Sequence, residues 1–337
     1  MRVGTIIGFQ NPAQWRVPWP ELYESGLRFA EEAEALGLDE VWLTEHHFAD
    51  DGYCPALLPV AAAIAARTTR IRIGTKVVLL PFHNPLRLAE DVAVVDVLSG
   101  GRFDLGVAAG YRHEEFAGFG IDRSERGART REGIALLRQA LTGEPVDFEG
   151  RFFRHSGVRI TPPPLQQPVP LWVGGRSERP LRRAATDGLH LQLADFDVEL
   201  CERDHRVYTE ALRAAGRDPA DYEVAAVASV FVDEDPERAV ALAGPHLRYQ
   251  QAQYQRWFAE AGDRTSAPLD DEAGELPPGC LVGTPADVLE QIRAAHARVP
   301  FTHFSFWILA PGMAPDVATR SLRLFAAEVL PALRALR

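Results

Sequence analysis

Eight short, mostly apolar runs recur along this chain, separated by segments with helical spacing or by loops. They are "VGTIIGF" (Val3–Phe9), "EVWLT", "IRIGTKVVLL", "RFDLGVAAG", "PLWVGG", "GLHLQLA", "YEVAAVASVFV" and "HFSFWIL". Strands that read as continuous apolar stretches are buried on both faces, as in a parallel sheet covered by helices. Helices are expected over Pro20–Leu36, closed by Gly37 at a C-cap position, over Pro55–Arg67, Leu86–Leu98, about Arg123–Leu141 and about Pro315–Leu336. Eight such units favour closure into a (β/α)8 TIM barrel, one domain spanning residues 1–337. A doubly wound open sheet is the alternative. Two insertions break the rhythm. "VDFEGRFFR" reads as a hairpin, followed by a proline-rich connector, before the fifth strand. Ala243–Cys280, before the eighth, reads either as a lid or as a surface excursion or oligomer contact.

Composition narrows the function classes. A net charge of −11 with no basic arm argues against nucleic acid as a partner. Cys54, Cys201 and Cys280 form no CxxC pair and no zinc pattern, which points to free thiols in a reducing cytoplasm. "MRVGTIIGFQ" reads as a strand and not as a signal peptide, and the longest apolar segments are too short to span a bilayer.

In a barrel, function sits at the C-terminal ends of the strands. The polar residues there are Gln10-Asn11, Glu45-His46-His47, Lys76, Tyr111-Arg112-His113, Gly175-Arg176-Ser177, Asp195 and Pro311-Gly312. The adjacent imidazoles of "VWLTEHHFADDGY" pose the sharpest question. Neighbouring side chains of a strand point to opposite faces, so a strand continuing through His46 and His47 gives them unequal roles. One reaches the chemistry as acid or base, and the other packs behind it. A metal site would want HxH spacing and further ligands at later strand ends, but His190 and His303 fall early in their strands. A purely structural role for both histidines is the competing reading. Gly174-Gly175 followed by Arg176-Ser177 opens a helix, a backbone arrangement suited to an anion.

Taken together, "DEVWLTEHHF", "IRIGTKVVLLPFHNPLRLAEDVAVVDVLSGGRFDLGVAAGY", "PLWVGG" and "LVGTPADV" resemble the bacterial luciferase-like flavin-dependent monooxygenases, in family order and over nearly the whole chain. The resemblance implies a TIM barrel with FMN at its C-terminal face. In that family the FMN arrives reduced from a separate reductase and meets O2. A flavin C4a-hydroperoxide then oxygenates a small apolar organic substrate. The resemblance makes His46 the active-site imidazole, His47 its supporting neighbour and Glu45 part of the isoalloxazine pocket. Lys76-Val77 falls where the family often has a non-prolyl cis peptide against the ring. Gly110 and Tyr111 are implied to touch the flavin through backbone, and Arg126 and Ser177 to hold its phosphate beside Gly174, Gly175 and Arg176.

Three departures stand out. Ala109 replaces a phosphate-binding arginine, Pro180 replaces a threonine, and Ala108 replaces a reactive cysteine. Arg176 and Arg179 are candidates to make good the lost phosphate contacts. The family also implies a homodimer through the helices beside strands two and three. Some relatives use the deazaflavin F420 for hydride transfer without oxygen, and a non-catalytic flavin-binding protein is a third reading. Trp257, Tyr249, Tyr254, Phe304 and Phe306 are candidates to line a substrate pocket.

Overall fold

The computed structural model describes residues 1–175, 177–194, 196–262 and 276–336. The strands, in chain order, are β1 (Arg2–Ile7), β2 (Glu40–Leu43), β3 (Arg72–Thr75), β4 (Val78–Leu79), β5 (Phe103–Ala108), β6 (Val146–Glu149), β7 (Arg154–Val158), β8 (Leu171–Gly174), β9 (His190–Gln192), β10 (Val224–Val232), β11 (Cys280–Gly283) and β12 (His303–Trp307). β1, β2, β3, β5, β8, β9, β10 and β12 pair in that order, all parallel, and β12 returns to β1, closing an eight-stranded TIM barrel.

The helices are α1 (Trp19–Ala35), α2 (Leu57–Arg67), α3 (Pro85–Ser99), α4 (His113–Gly118), α5 (Arg126–Ala140), α6 (Glu178–Asp187), α7 (Val198–Ala214), α8 (Pro236–Glu260), α9 (Pro285–Arg298), α10 (Pro315–Glu328) and α11 (Leu330–Arg334). Their apolar faces pack on the outer faces of the strands in one continuous core. Each strand is therefore buried on both sides, and this is why the strands read as unbroken apolar runs. Among the described residues, no helix is long and apolar enough to cross a membrane.

Inside the barrel, Ile6, Trp42, Trp172, Ala225 and Trp307 form a second cluster that also takes in Tyr53 and Trp257. The indoles are oriented from below. Trp42 Nε1 donates to Glu40 Oε2 at 2.9 Å, and Trp172 Nε1 donates to Asp104 Oδ1 at 3.3 Å. A buried indole N–H needs such a partner. Gly74 makes room for Trp42, since a Cβ there would come within 2.3 Å of the indole. His303 faces Glu40 at 3.2 Å near the strand starts. Among the described residues no group of His, Cys, Asp or Glu is arranged to hold a metal ion.

The structure corrects several boundaries. The hairpin forms, but its second strand runs on to Val158. The segment expected as a lid from Ala243 begins inside α8, a single helix with Pro245 in its interior. An interior proline reads as a break, yet neighbouring turns carry the helix through it. Residues 263–275 of that segment lie outside the described residues. The terminal helix is two, parted at Val329, and α5 begins only at Arg126 after a 3-10 turn over Arg123–Glu125. Several elements carried no expected bounds, α7 and α9 among them, and a short helix and an extra strand were not anticipated at all. The short helix α4 follows β5, and β11 pairs with the C-terminal half of the long β10.

Candidate active site

β2 ends at Leu43, and the chain runs on through Thr44, Glu45, His46 and His47, all buried. Strand alternation therefore does not reach the two histidines. They diverge for another reason: they are tethered through opposite ring nitrogens. His46 Nδ1 lies 2.8 Å from Glu115 Oε1, whereas His47 Nε2 lies 2.7 Å from Glu45 Oε1. A carboxylate only accepts, so each tethered nitrogen carries the proton. His46 is left with Nε2 as its basic nitrogen and His47 with Nδ1.

Their surroundings differ as well. His46 is ringed by Tyr53 and Trp257, with ring centroids at 4.8 and 4.7 Å, and by Tyr111 and Tyr254 at 5.7 and 6.1 Å. His47 packs on Phe119 at 4.8 Å and on Phe82 at 5.7 Å. After His47 the chain turns through Phe48 in the left-handed region, at φ 54°. The Phe48 ring lies where a Cβ on Gly118 would meet it at 2.3 Å, so only glycine fits at that point of α4.

Glu45 also accepts from His83 Nε2 and the Leu79 amide, each at 3.3 Å. Burial pushes its carboxyl up, but the hydrogen bonds from His47 and His83 outweigh this and hold it below the usual carboxylate range. Glu115, fully buried on α4, accepts from His46, from the His47 amide at 3.0 Å and from Arg112 Nη1 at 3.4 Å. Arg112 in turn donates to the His47 carbonyl at 2.7 Å and lies over the Trp257 ring at 4.2 Å. Glu115 thus pairs with an arginine and orients His46 as well. Glu115→Gln keeps an acceptor but removes the charge facing Arg112, so it should cost about 1–3 kcal/mol of stability. Urea unfolding would check this, and an unchanged midpoint would mean that the Glu114 carboxylate, which accepts from Arg112 Nη2 at 2.7 Å, is partner enough for Arg112.

Helix α8 covers this cluster. Gln250, Gln253, Tyr254 and Trp257 share one face at i, i+3, i+4 and i+7 spacing. Gln253 Nε2 and Gln10 Nε2 donate to Asp51 Oδ2 at 3.0 and 2.9 Å, and Tyr249 joins at 3.1 Å. The Tyr53 and Tyr254 hydroxyls pair with each other. Burial raises both phenols, Tyr254 to about 12, so both keep their protons at neutral pH.

The remaining site candidates sit on neighbouring strand ends. The Lys76–Val77 peptide, after β3, is cis. The Lys76 stem is partly exposed, but its Nζ is buried without a hydrogen-bond partner and lies 5.9 Å from the Trp42 ring centroid. Burial pushes this amine down to about 7. Val77 abuts Gly174 at the end of β8, where a Cβ would meet Val77 Cγ1 at 3.0 Å. Ala109, Gly110 and Tyr111 follow β5, half-buried. Ser177 is the exposed N-cap of α6, and its hydroxyl makes no capping bond. Arg176 lies outside the described residues, as does Asp195.

Arg126 opens α5 and donates to the Arg123 carbonyl at 3.0 Å, while Arg123 Nε donates to the Tyr111 carbonyl at 3.0 Å. Neither guanidinium has a carboxylate partner among the described residues, and the two lie close enough that Arg126 lowers the Arg123 pKa, second to burial. Phe304 and Phe306 do not line this site. They pack outward against Phe301 and against Phe325 of α10.

Sequence reading missed Arg123, His83, Asp51 and the Asp51 contacts. The glutamines were legible in principle, because "YQQAQYQRW" repeats polar and aromatic residues at helical spacing.

A family model described as luciferase-like monooxygenase matches residues 1–301. The oxygenase component of a flavin-dependent trigonelline monooxygenase from Acinetobacter baylyi is 27% identical over 332 residues, 93% of this chain and 90% of that protein. An F420-dependent glucose-6-phosphate dehydrogenase from Amycolatopsis mediterranei is 29% identical over 330 residues, covering 92% and 94%. Among solved structures, monooxygenase RslO1 from Streptomyces bottropensis superposes with a TM-score of 0.88 at 29% identity, covering 99% of this chain and 100% of that one.

Proposed function

The chain belongs to the luciferase-like monooxygenase family, and we propose that it is the oxygenase of a two-component system, taking reduced FMN from a separate flavin reductase and using O2 to oxygenate a small, largely apolar organic molecule. The observation that carries this reading is the buried Glu115–His46 pair, which leaves Nε2 as the basic nitrogen of an imidazole enclosed by aromatic rings. FMN fits the residues present. Arg123 and Arg126 offer two guanidiniums without carboxylate partners among the described residues for its phosphate, and the uncapped Ser177 hydroxyl stands at a helix N-terminus. Arg123, bonded to the Tyr111 carbonyl two residues beyond Ala109, offers a cation close in the chain to the first of the lost phosphate contacts.

Bound reduced FMN supplies the two electrons that activate O2, one oxygen atom going to substrate and the other leaving as water. The protein's own part is proton handling and enclosure. His46 Nε2 accepts a proton, and Glu115 stabilises the imidazolium that results through Nδ1–H. Tyr53, Tyr254 and Trp257 close the site against water, which strengthens these interactions.

The F420-dependent relative, similar over most of the chain, favours a second reading, hydride transfer without oxygen. Reconstitution separates the two. The FMN reading expects binding of reduced FMN, and incorporation of 18O from 18O2 into one member of a panel of aldehydes, ketones, fused-ring aromatics and N-methylpyridinium carboxylates. Tight F420 binding with no FMN binding would overturn it.

The same reading makes the protein a homodimer. Val94, Val97 and Leu98 lie at i, i+3 and i+4 on α3 and are 44%, 38% and 56% exposed, and Leu165 nearby is 60% exposed. Such a contiguous apolar face on a soluble chain marks a contact surface. Leu98→Glu should convert a sedimenting dimer to monomer; a wild type that sediments as monomer would refute the assignment.

A further inference from the structure

Lys76 is the only lysine among 36 Lys and Arg residues. Arginine keeps its proton at any physiological pH, whereas a buried lysine can lose it. The chain's one amine is carried by the residue that follows β3. The Lys76 Nζ is sealed from solvent and makes no hydrogen bond to any of the described residues. The nearest aromatic face is Trp42, at 5.9 Å, in the same interior cluster that holds Tyr53 and Trp257 against His46.

Among the described residues, Glu40 on β2 and Cys201 on α7 act on the amine electrostatically. Glu40 is already engaged, since Trp42 Nε1 donates to one oxygen and His303 faces the other at 3.2 Å. An ammonium in this position has lost its water and gained no anion in contact, which is costly unless an anion arrives. The next residue, Val77, follows the cis peptide and touches the Gly174 strand end, so the Lys76 backbone belongs to the mouth of the barrel between β3 and β8, and its amine reaches in toward Trp42.

Resting on the FMN reading above, we propose that Lys76 is the cation that makes this site prefer reduced flavin over oxidised flavin. Two-electron reduction with uptake of one proton leaves the isoalloxazine ring one unit more negative than its oxidised form. A buried ammonium beside the ring discriminates between the two states by charge alone. Reduced cofactor is held until oxygen has reacted, and oxidised cofactor is released for re-reduction elsewhere. Lys76 is here a positioning residue for charge and needs no proton transfer of its own.

The test uses full-length protein and the dissociation constants of oxidised FMN, by fluorescence quenching in air, and of reduced FMN, under anaerobic dithionite. Circular dichroism establishes that each variant is folded. Wild type should bind reduced FMN the more tightly. Lys76→Met should lower that preference about tenfold, which makes the two-electron potential of bound FMN about 30 mV more negative. Lys76→Arg should retain the preference. An unchanged ratio in Lys76→Met, or an equal loss in Lys76→Arg, would overturn the proposal. Equal wild-type affinity for both redox forms would overturn it while leaving the FMN reading intact. A wild type that binds neither form would remove both.

Discussion

His46→Ala should lower oxygenation of the best panel substrate by roughly 10²–10⁴-fold, the usual contribution of a positioned acid or base. The same variant should bind FMN much as wild type does, because the cations offered to the phosphate belong to Arg123 and Arg126. The contrast with His47→Ala is what makes the measurement decisive. His47 is held by Glu45 through Nε2 and sits among Phe82 and Phe119, away from the tyrosines and Trp257. Its loss should cost about tenfold or less, and mainly through the shared Glu45 network, which also holds His83 and the Leu79 amide. Equal losses in the two variants would mean that the pair works as a structural unit, and turnover unchanged in His46→Ala would end the acid/base assignment.

Much of the architecture was legible because the barrel leaves a simple trace. Strands covered on both faces need continuous apolar residues, and eight such runs have few ways to close. Elements governed by contacts distant in sequence were less legible. α4 is only six residues long, and its importance comes from Glu115, which meets His46 across a separation of 69 positions. Nothing local to "HEEFAG" signals that one of its two acids is fully buried and the other exposed. The same holds for Asp51, whose partners come from Gln10 on one side and Gln253 and Tyr249 on the other. The unequal roles of the two histidines were anticipated from strand alternation. The structure shows unequal tethers that do not come from alternation, since β2 has ended before the histidines begin and the rings are held by carboxylates on opposite nitrogens.

Lys76→Met should stabilise the cofactor-free protein, an unusual outcome for a residue at a functional strand end. Burial takes the amine from 10.5 to about 7 in the folded protein. That difference corresponds to about 4–5 kcal/mol, the cost of carrying a desolvated charge at or below neutral pH. Methionine puts a flexible apolar chain in the same place and avoids the cost. The sign of the pH dependence follows from proton counting. Between pH 7 and 10.5 the unfolded chain binds the lysine proton and the folded chain does not, so wild-type stability gains with rising pH across that window relative to the variant. The advantage of Lys76→Met should be full at pH 6 and shrink to about 1–2 kcal/mol by pH 9.5. Urea unfolding of both proteins at the two pH values measures the gap directly, and the tyrosines and cysteines that also titrate cancel in the difference. A gap independent of pH would mean that the amine is not held as a desolvated base. If the gap closes as expected while flavin discrimination is lost in the same variant, the instability and the discrimination have one origin. The site then keeps an amine that is costly to charge in the empty protein because the negative charge of reduced cofactor is what stabilises its charged form.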